Sequence, residues 1–227
     1  MGNARSRGEP DRRTVEMPLL DSPHDPDDLW QAVGDEVPTH RLLMQGDVIV
    51  AESGPLLVVT HACSMRRGAD LHQTQMVAPV DEHHVPDWNG SYDWMPLPGA
   101  PVPGLQNPAG ALRVLRTVDT DELLEGERVA VMSDQGVQLL QQRLAHHLTR
   151  VAVSIVELSE HCAPILAEAE LHEDWVDALG PDSEQEFHDF LDADGRKLRT
   201  WLAEPPTRAQ AMATVRRSIR ARRENQA

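Results

Sequence analysis

The side chains best suited to chemistry sit together in His61-Ala62-Cys63, a few residues before Arg66-Arg67. A cysteine acts as a nucleophile through its thiolate, and His61 or the Arg66-Arg67 pair would stabilise that form. Two other readings fit the same residues. His61 and Cys63, joined by His72 or by His83-His84, would offer the nitrogen and sulfur donors that zinc accepts. No paired CxxC or HxxxH spacing accompanies them, so the spacing predicts no tightly bound metal and no cofactor. The structural reading makes Cys63 a small buried residue and His61 a hydrogen-bonding loop residue. Cys162 falls on an apolar helical stripe and is expected in the core.

Two further groups point outward. Trp88, Tyr92 and Trp94 lie in a proline-bearing loop and would either anchor a partner or lid the open end of a barrel. Asp81, Glu82, Asp87 and Asp93 around them oppose stacking on nucleic-acid bases. Residues 205–227 carry six arginines against Glu224, in a chain whose formal charge is −16. Arg216, Arg217 and Arg220 flank a thin apolar stripe of Met212, Val215 and Ile219. Such a helix suits an acidic partner, a nucleic acid, or the acidic face of its own chain. His146-His147, Glu168, Glu170, Glu173 and Asp174 read as solvated helix faces.

The elements that must position these residues change period along the chain. Residues 1–28 are polar and proline-punctuated, which predicts an extended arm. From Met44 to Met132 the pattern is β. Val48–Ala51 and Leu56–Thr60 flank the turn signal Glu52-Ser53-Gly54-Pro55, so they read as a hairpin with Thr60 ending a central strand. Further strands are expected at residues 74–80, 111–118 and 127–132. After Ser133, a good N-cap, Val137, Leu140, Leu144 and Leu148 recur at helical spacing. A second helix carries Leu158, Cys162, Ile165, Ala169, His172, Val176 and Leu179, runs through Pro164 and ends at Gly180-Pro181. A third covers residues 183–203 and weakens at Asp194-Gly195. Pro205-Pro206 then stops the chain before a last helix, residues 208–223, capped by Thr207. The expected class is α+β: a small antiparallel barrel over 29–132, a helical extension over 133–204, and a basic helix over 205–227.

With 37 acidic against 21 basic side chains, the surface would repel a phosphate backbone over most of its area. No apolar run approaches the roughly 18 residues of a membrane span, so no membrane partner is expected. The opening Met1-Gly2-Asn3-Ala4-Arg5 reaches no apolar stretch of a signal peptide. Two distant cysteines suit a reducing cytosol. Lys197 alone among the basic residues is lysine, a bias typical of GC-rich bacterial genomes.

Gly46-Asp47-Val48, Pro55 and Leu57-Val58-Val59-Thr60 resemble the opening of the SH3-like barrels of the PemK and MazF toxin superfamily. The continuation Thr60-His61-Ala62-Cys63 and the helix opening Val131-Met132-Ser133-Asp134-Gln135-Gly136 are similar to uncharacterised bacterial proteins with a Gln/His-x-Cys segment. The resemblance spans roughly residues 44–150. It implies an SH3-like barrel and, in the ribonucleolytic toxins, an arginine acting with the strand-terminal hydroxyl on the scissile phosphate. Here Gly54 stands before Pro55 in the arginine's place, so Arg66 or Arg67 would have to supply the cation beside Thr60. The expected function is a non-enzymatic protein-interaction subunit, or homo-oligomer, of a bacterial cytosolic assembly serving phage defence or a toxin–antitoxin-like system. Its partner-binding residues would be Trp88, Tyr92, Trp94, Arg216, Arg217 and Arg220. The alternative is an endoribonuclease or thiol-dependent enzyme using Thr60, His61, Cys63 and Arg66.

Overall fold

The computed structural model describes residues 20–226 apart from 68–69, 85–87, 89–91 and 194–197. The strands are β1 (Trp30–Val33), β2 (Val48–Ala51), β3 (Gly54–Val58), β4 (Arg66–Arg67), β5 (Asp70–Leu71), β6 (Thr74–Glu82), β7 (Trp94–Pro96), β8 (Pro108–Ala111), β9 (Arg116–Asp119) and β10 (Glu127–Met132). The helices are α1 (Thr120–Glu125), α2 (Asp134–Thr149), α3 (Ile155–Leu179), α4 (Glu184–Asp192), α5 (Leu198–Ala203) and α6 (Pro205–Gln226). Eight strands form one curled antiparallel half-barrel in the order β1-β10-β2-β3-β6-β8-β7, with β9 also on β6. The mixed α and β architecture follows the expected sequence of a sheet and then helices.

The hairpin forms where its turn signal lies, with Ala51 paired to Gly54 around a tight turn at Glu52-Ser53. Alternation then sorts the side chains: Val48 and Leu57 enter the core facing α2, whereas Ile49, Leu56 and Val58 enter a second core beneath α1. The sheet is thus covered on both faces.

Four details differ from the sequence expectation. First, β3 ends at Val58 and not at Thr60. The Met76 N–H donates to Thr60 Oγ1 at 2.6 Å, so a side-chain hydroxyl takes the place of the next ladder carbonyl. Second, the strand expected at 111–118 is broken. β8 and β9 occupy successive stretches of one edge of β6, and a 3-10 turn at Leu112–Val114 lies between them. Met76 O accepts from Val59 and Thr60, so the alternate residue Pro79 faces the other edge, where it has no N–H to donate. The ladder is interrupted opposite that missing donor, and the sheet bends there. Third, the preceding helix stops at Ala203 as expected, but α6 begins at Pro205 itself and not at Arg208, because the first turn needs no N–H from its residues. Thr207 is not the cap; its hydroxyl donates to Trp201 O and Glu204 O. Fourth, β1 precedes the expected sheet and pairs with β10.

The arm expected over 1–28 lies outside the described residues as far as residue 19. From Leu20 onward the chain is held: Leu20 is buried, the Asp21 N–H donates to Gln142 Oε1, and Asp25 and Asp28 form a capping box. Ser133 caps α2 as expected, accepting from the Gly136 N–H. A Cβ at Gly136 would stand 2.4 Å from Leu29 O, so glycine is what lets α2 start against the sheet.

The helices close around Trp175, Phe187, Leu191, Leu198, Ala211 and Val215. α6 lies on α3 with Ala211, Val215 and Ile219 buried. Its Arg216 pairs with Glu170 and with Asp174, and Arg222 pairs with Glu186 of α4 while covering the Trp175 ring. The acidic face of α3 is therefore solvated only in part: Glu170 stays exposed while pairing with Arg216, Glu168 and Asp174 are half-buried, and Arg41 from the barrel side reaches Glu173.

Arg216→Glu combined with Arg222→Glu should lower the melting temperature by about 3–8 °C, because each exposed pair contributes at most about 1 kcal/mol and reversal adds repulsion. The gap from wild type should narrow at high salt. Arg217→Glu with Arg220→Glu, both exposed, should shift it by less than about 2 °C. Differential scanning fluorimetry reads all three outcomes.

Candidate functional site at the barrel–helix seam

The segment Arg41–Met44 runs between the half-barrel and α3. Leu42 and Met44 pack there on Ala169, with Ala62, Ile165 and Leu166 around them. Arg128 from β10 bonds Arg41 O and reaches the buried Asp47 carboxylate at 3.2 Å, which fixes this segment to the sheet. Two cavities open along the seam, and Arg66 lines both. One, of about 430 Å³, is bounded by Arg66, His172, Glu184 and Leu43. The other, of about 210 Å³, is bounded by Cys63, Arg66, Glu168 and Arg199.

Past β3 the chain makes a 3-10 turn at Ala62–Ser64 with His61 as its N-cap. The cap brings His61 Nδ1 within 2.8 Å of Cys63 Sγ, and the same nitrogen accepts from the Cys63 N–H at 3.3 Å. The imidazole tautomer sets which of Nδ1 and Sγ donates. Burial holds the His61 imidazole below its ordinary range. Cys63 is exposed, contrary to the buried structural reading. Arg66 does not reach this dyad: its Nη2 donates to Leu43 O at 3.2 Å, and burial pulls the guanidinium down despite Glu184, Glu168 and Asp47 nearby. Thr60 is committed to the Met76 backbone on both sides, donating to its carbonyl and accepting from its N–H. The expected set of Thr60, His61, Cys63 and Arg66 thus resolves into one bonded pair and two structural residues.

The described aromatic side chains of the loop pack against the fold. Tyr92 is buried with its ring tilted against His146, Trp94 lies flat against His83 at 4.1 Å, and Trp88 packs on the sheet core. Arg143 of α2 holds the loop from beneath. It donates to Trp88 O and Trp94 O and lies 4.8 Å from the Trp88 ring. Burial lowers Arg143 to about 10, so it stays charged at neutral pH. His146 and His147 are not a solvated face either, since His146 is buried and His147 meets Asp93 at 2.9 Å. Residues 85–87 and 89–91 of this loop, Asp87 among them, lie outside the described residues. Of the basic-helix residues, Arg216 is engaged with α3, whereas Arg217 and Arg220 are exposed.

The seam also gathers residues to which the sequence reading gave no role. Glu168 and His172 stand one turn apart on α3, and Glu184 and His188 one turn apart on α4. His172 Nε2 lies 3.5 Å from Glu184 Oε1, and His188 Nδ1 lies 4.0 Å from Glu168 Oε1. Both histidines are 3% exposed, and none of their ring nitrogens makes a hydrogen bond. Burial is the main cause that lowers His172, to about 3, with His188 and Arg66 adding to it; burial likewise lowers His188. The repeated Glu-x-x-x-His spacing was visible in the sequence, but His172 reads there as one more position of an apolar stripe. The expectation of no metal rests on the barrel histidines alone, and His72 and His83-His84 do not join this group among the described residues. No protein-family model and no curated protein matches this chain.

Two outcomes follow from this geometry. A thiol reagent should modify about one cysteine per native chain, lost in Cys63→Ser, and reach buried Cys162 only on unfolding. The second concerns pH. The folded chain holds His172 and His188 neutral, while the unfolded chain protonates them below about pH 6.5. The unfolded state then binds more protons, so stability is full above that pH and is lost as the pH falls, by up to about 1.4 kcal/mol per unit for each group. Urea unfolding of the metal-free chain between pH 7.5 and 5 measures the slope; a flat profile would contradict it.

Proposed function

We propose that the chain is a non-enzymatic protein-interaction subunit of a bacterial assembly, built on an SH3-like form of the half-barrel. The single observation that carries this reading is the apolar corner where α2 turns into α3. Leu148, Val151 and Val156 are 66%, 56% and 68% exposed there, and Ser154 caps the start of α3 beside them. Large apolar side chains grouped at one corner mark contact surfaces. Gln142 ties this corner to the N-terminal segment, bonding both Asp21 and Val153 O. Arg216 and Arg222 of the basic helix are engaged with its own acidic neighbours, whereas Arg217, Arg220 and Arg223 are exposed. The resemblance to toxin-superfamily barrels supports an assembly serving phage defence, and no helix is long and apolar enough to cross a membrane among the described residues.

The second reading is thiol chemistry, favoured by the 2.8 Å contact of Cys63 Sγ with His61 Nδ1 beside a cavity. Ribonuclease chemistry on Thr60 has no such support, because its hydroxyl is engaged with the Met76 backbone.

Affinity purification of the tagged chain from the cells that encode it separates the two. The interaction reading expects a stoichiometric partner chain or second copy, reduced at least tenfold by Leu148→Glu with Val156→Glu and unaffected by Cys63→Ser. The double variant should melt within about 2 °C of wild type, since both positions are exposed. A chain that purifies alone and monomeric, or a complex indifferent to the corner, overturns the reading.

A further inference from the structure

We propose that His172, Glu184 and His188, with Glu168 as fourth ligand, bind one divalent first-row transition-metal ion, zinc by preference, at the barrel–helix seam. One ligand atom each from His172, Glu184 and His188 already lies within 4.8 Å of the others.

The argument begins with the unsatisfied imidazoles. A neutral imidazole has one donor and one acceptor, and each left bare in a protein interior is destabilising. All four ring nitrogens of His172 and His188 are buried with no hydrogen-bond partner. A cation bound by one nitrogen of each ring removes that cost at the metal-facing atoms. Imidazole donors select zinc and its first-row neighbours, and the set lacks the all-oxygen shell that calcium or magnesium prefers.

Geometry agrees. Bonds of about 2.0–2.2 Å place tetrahedral ligand atoms roughly 3.4 Å apart. His172 Nε2 and Glu184 Oε1 stand at 3.5 Å. Glu184 is 44% exposed in its side chain, so it can rotate to close the remaining separations while the histidines stay in place. Glu168 Oε1, 4.0 Å from His188 Nδ1, is oriented by Arg199 at 2.5 Å, the kind of outer contact that fixes a metal-binding carboxylate. Glu168, Glu184 and Asp192, the last bonded to Arg199, outnumber the nearby Arg66 and Arg199, and this acidic surplus favours a cation. The cavity lined by His172 and Glu184 supplies the path of entry. Cys63 is not in this group, so the site has no sulfur ligand.

The test is zinc titration of the chelator-treated full chain by isothermal calorimetry. Wild type should bind about one zinc per chain, and a hundredfold excess over Kd should raise the melting temperature by about 5–10 °C. Glu184→Gln, conservative and at a half-exposed position, should weaken binding at least tenfold, and His188→Gln should do so more strongly. Cys63→Ser should bind as wild type. Cobalt in place of zinc should give visible bands without a thiolate charge-transfer band. Should His188→Gln fail to fold, as judged by circular dichroism, Glu184→Gln alone decides. No stoichiometric zinc on folded wild type overturns the proposal. So does binding indifferent to Glu184→Gln, or binding lost in Cys63→Ser, which would move the ion to the His61–Cys63 turn.

Discussion

A buried relay of side-chain amides holds the two halves of this protein in register. Gln45, in the loop before β2, donates to Val59 O; Gln141 of α2 donates to Gln45 Oε1 at 2.7 Å; and the Cys162 thiol of α3 donates to Gln141 Oε1. Burying amides is costly unless each finds a partner, and here each does. Any shift of α2 or α3 against the sheet would leave one of them bare. The relay therefore sets where α3 lies, and α3 carries Glu168 and His172 on the face turned to α4 and the seam. Burial in turn pushes the Cys162 thiol up, keeping it protonated as the donor the relay needs.

Arg143 does for the barrel mouth what the glutamines do for the seam. It is a fully buried cation on α2 whose donors go to backbone carbonyls of the aromatic loop. A buried charge without such partners would be strongly destabilising. The loop and the helix thus depend on each other, with Tyr92 buried and Trp88 and Trp94 half-buried.

Charge is distributed by the same logic of mutual cover. An acidic chain places its arginine-rich end on its own acidic helix, so much of the local field is cancelled internally. The α2–α3 corner stays open and apolar, and the seam is mixed, with Arg66 between two carboxylate-bearing helices and the His61–Cys63 turn. The buried histidines lie at the focus of that arrangement.

Much of the fold was legible because its signals are local. The Glu52–Pro55 turn between apolar runs, the Ser133 cap, the periodic leucines of α2 and the stop at Gly180-Pro181 each act within a few residues. The His61–Cys63 contact was half legible: the pair was evident, but only the 3-10 turn capped by His61 itself brings Nδ1 to the thiol. Other outcomes could not be read from the chain. Thr60 looks like a free strand-end hydroxyl until Met76, sixteen residues away, claims it. Pro205-Pro206 reads as the stop that it is, but that the next helix starts on the prolines themselves, with Ala211, Val215 and Ile219 packed within the helical core, shows only in the structure. Glu168 and His172 become partners of Glu184 and His188 only because the chain reverses at Gly180-Pro181 and α4 folds back on α3. Sequence by itself determined the elements, since propensity and periodicity are properties of neighbouring residues. Tertiary structure alone decided which polar side chains lost their water and met one another, since burial and proximity belong to the packed whole.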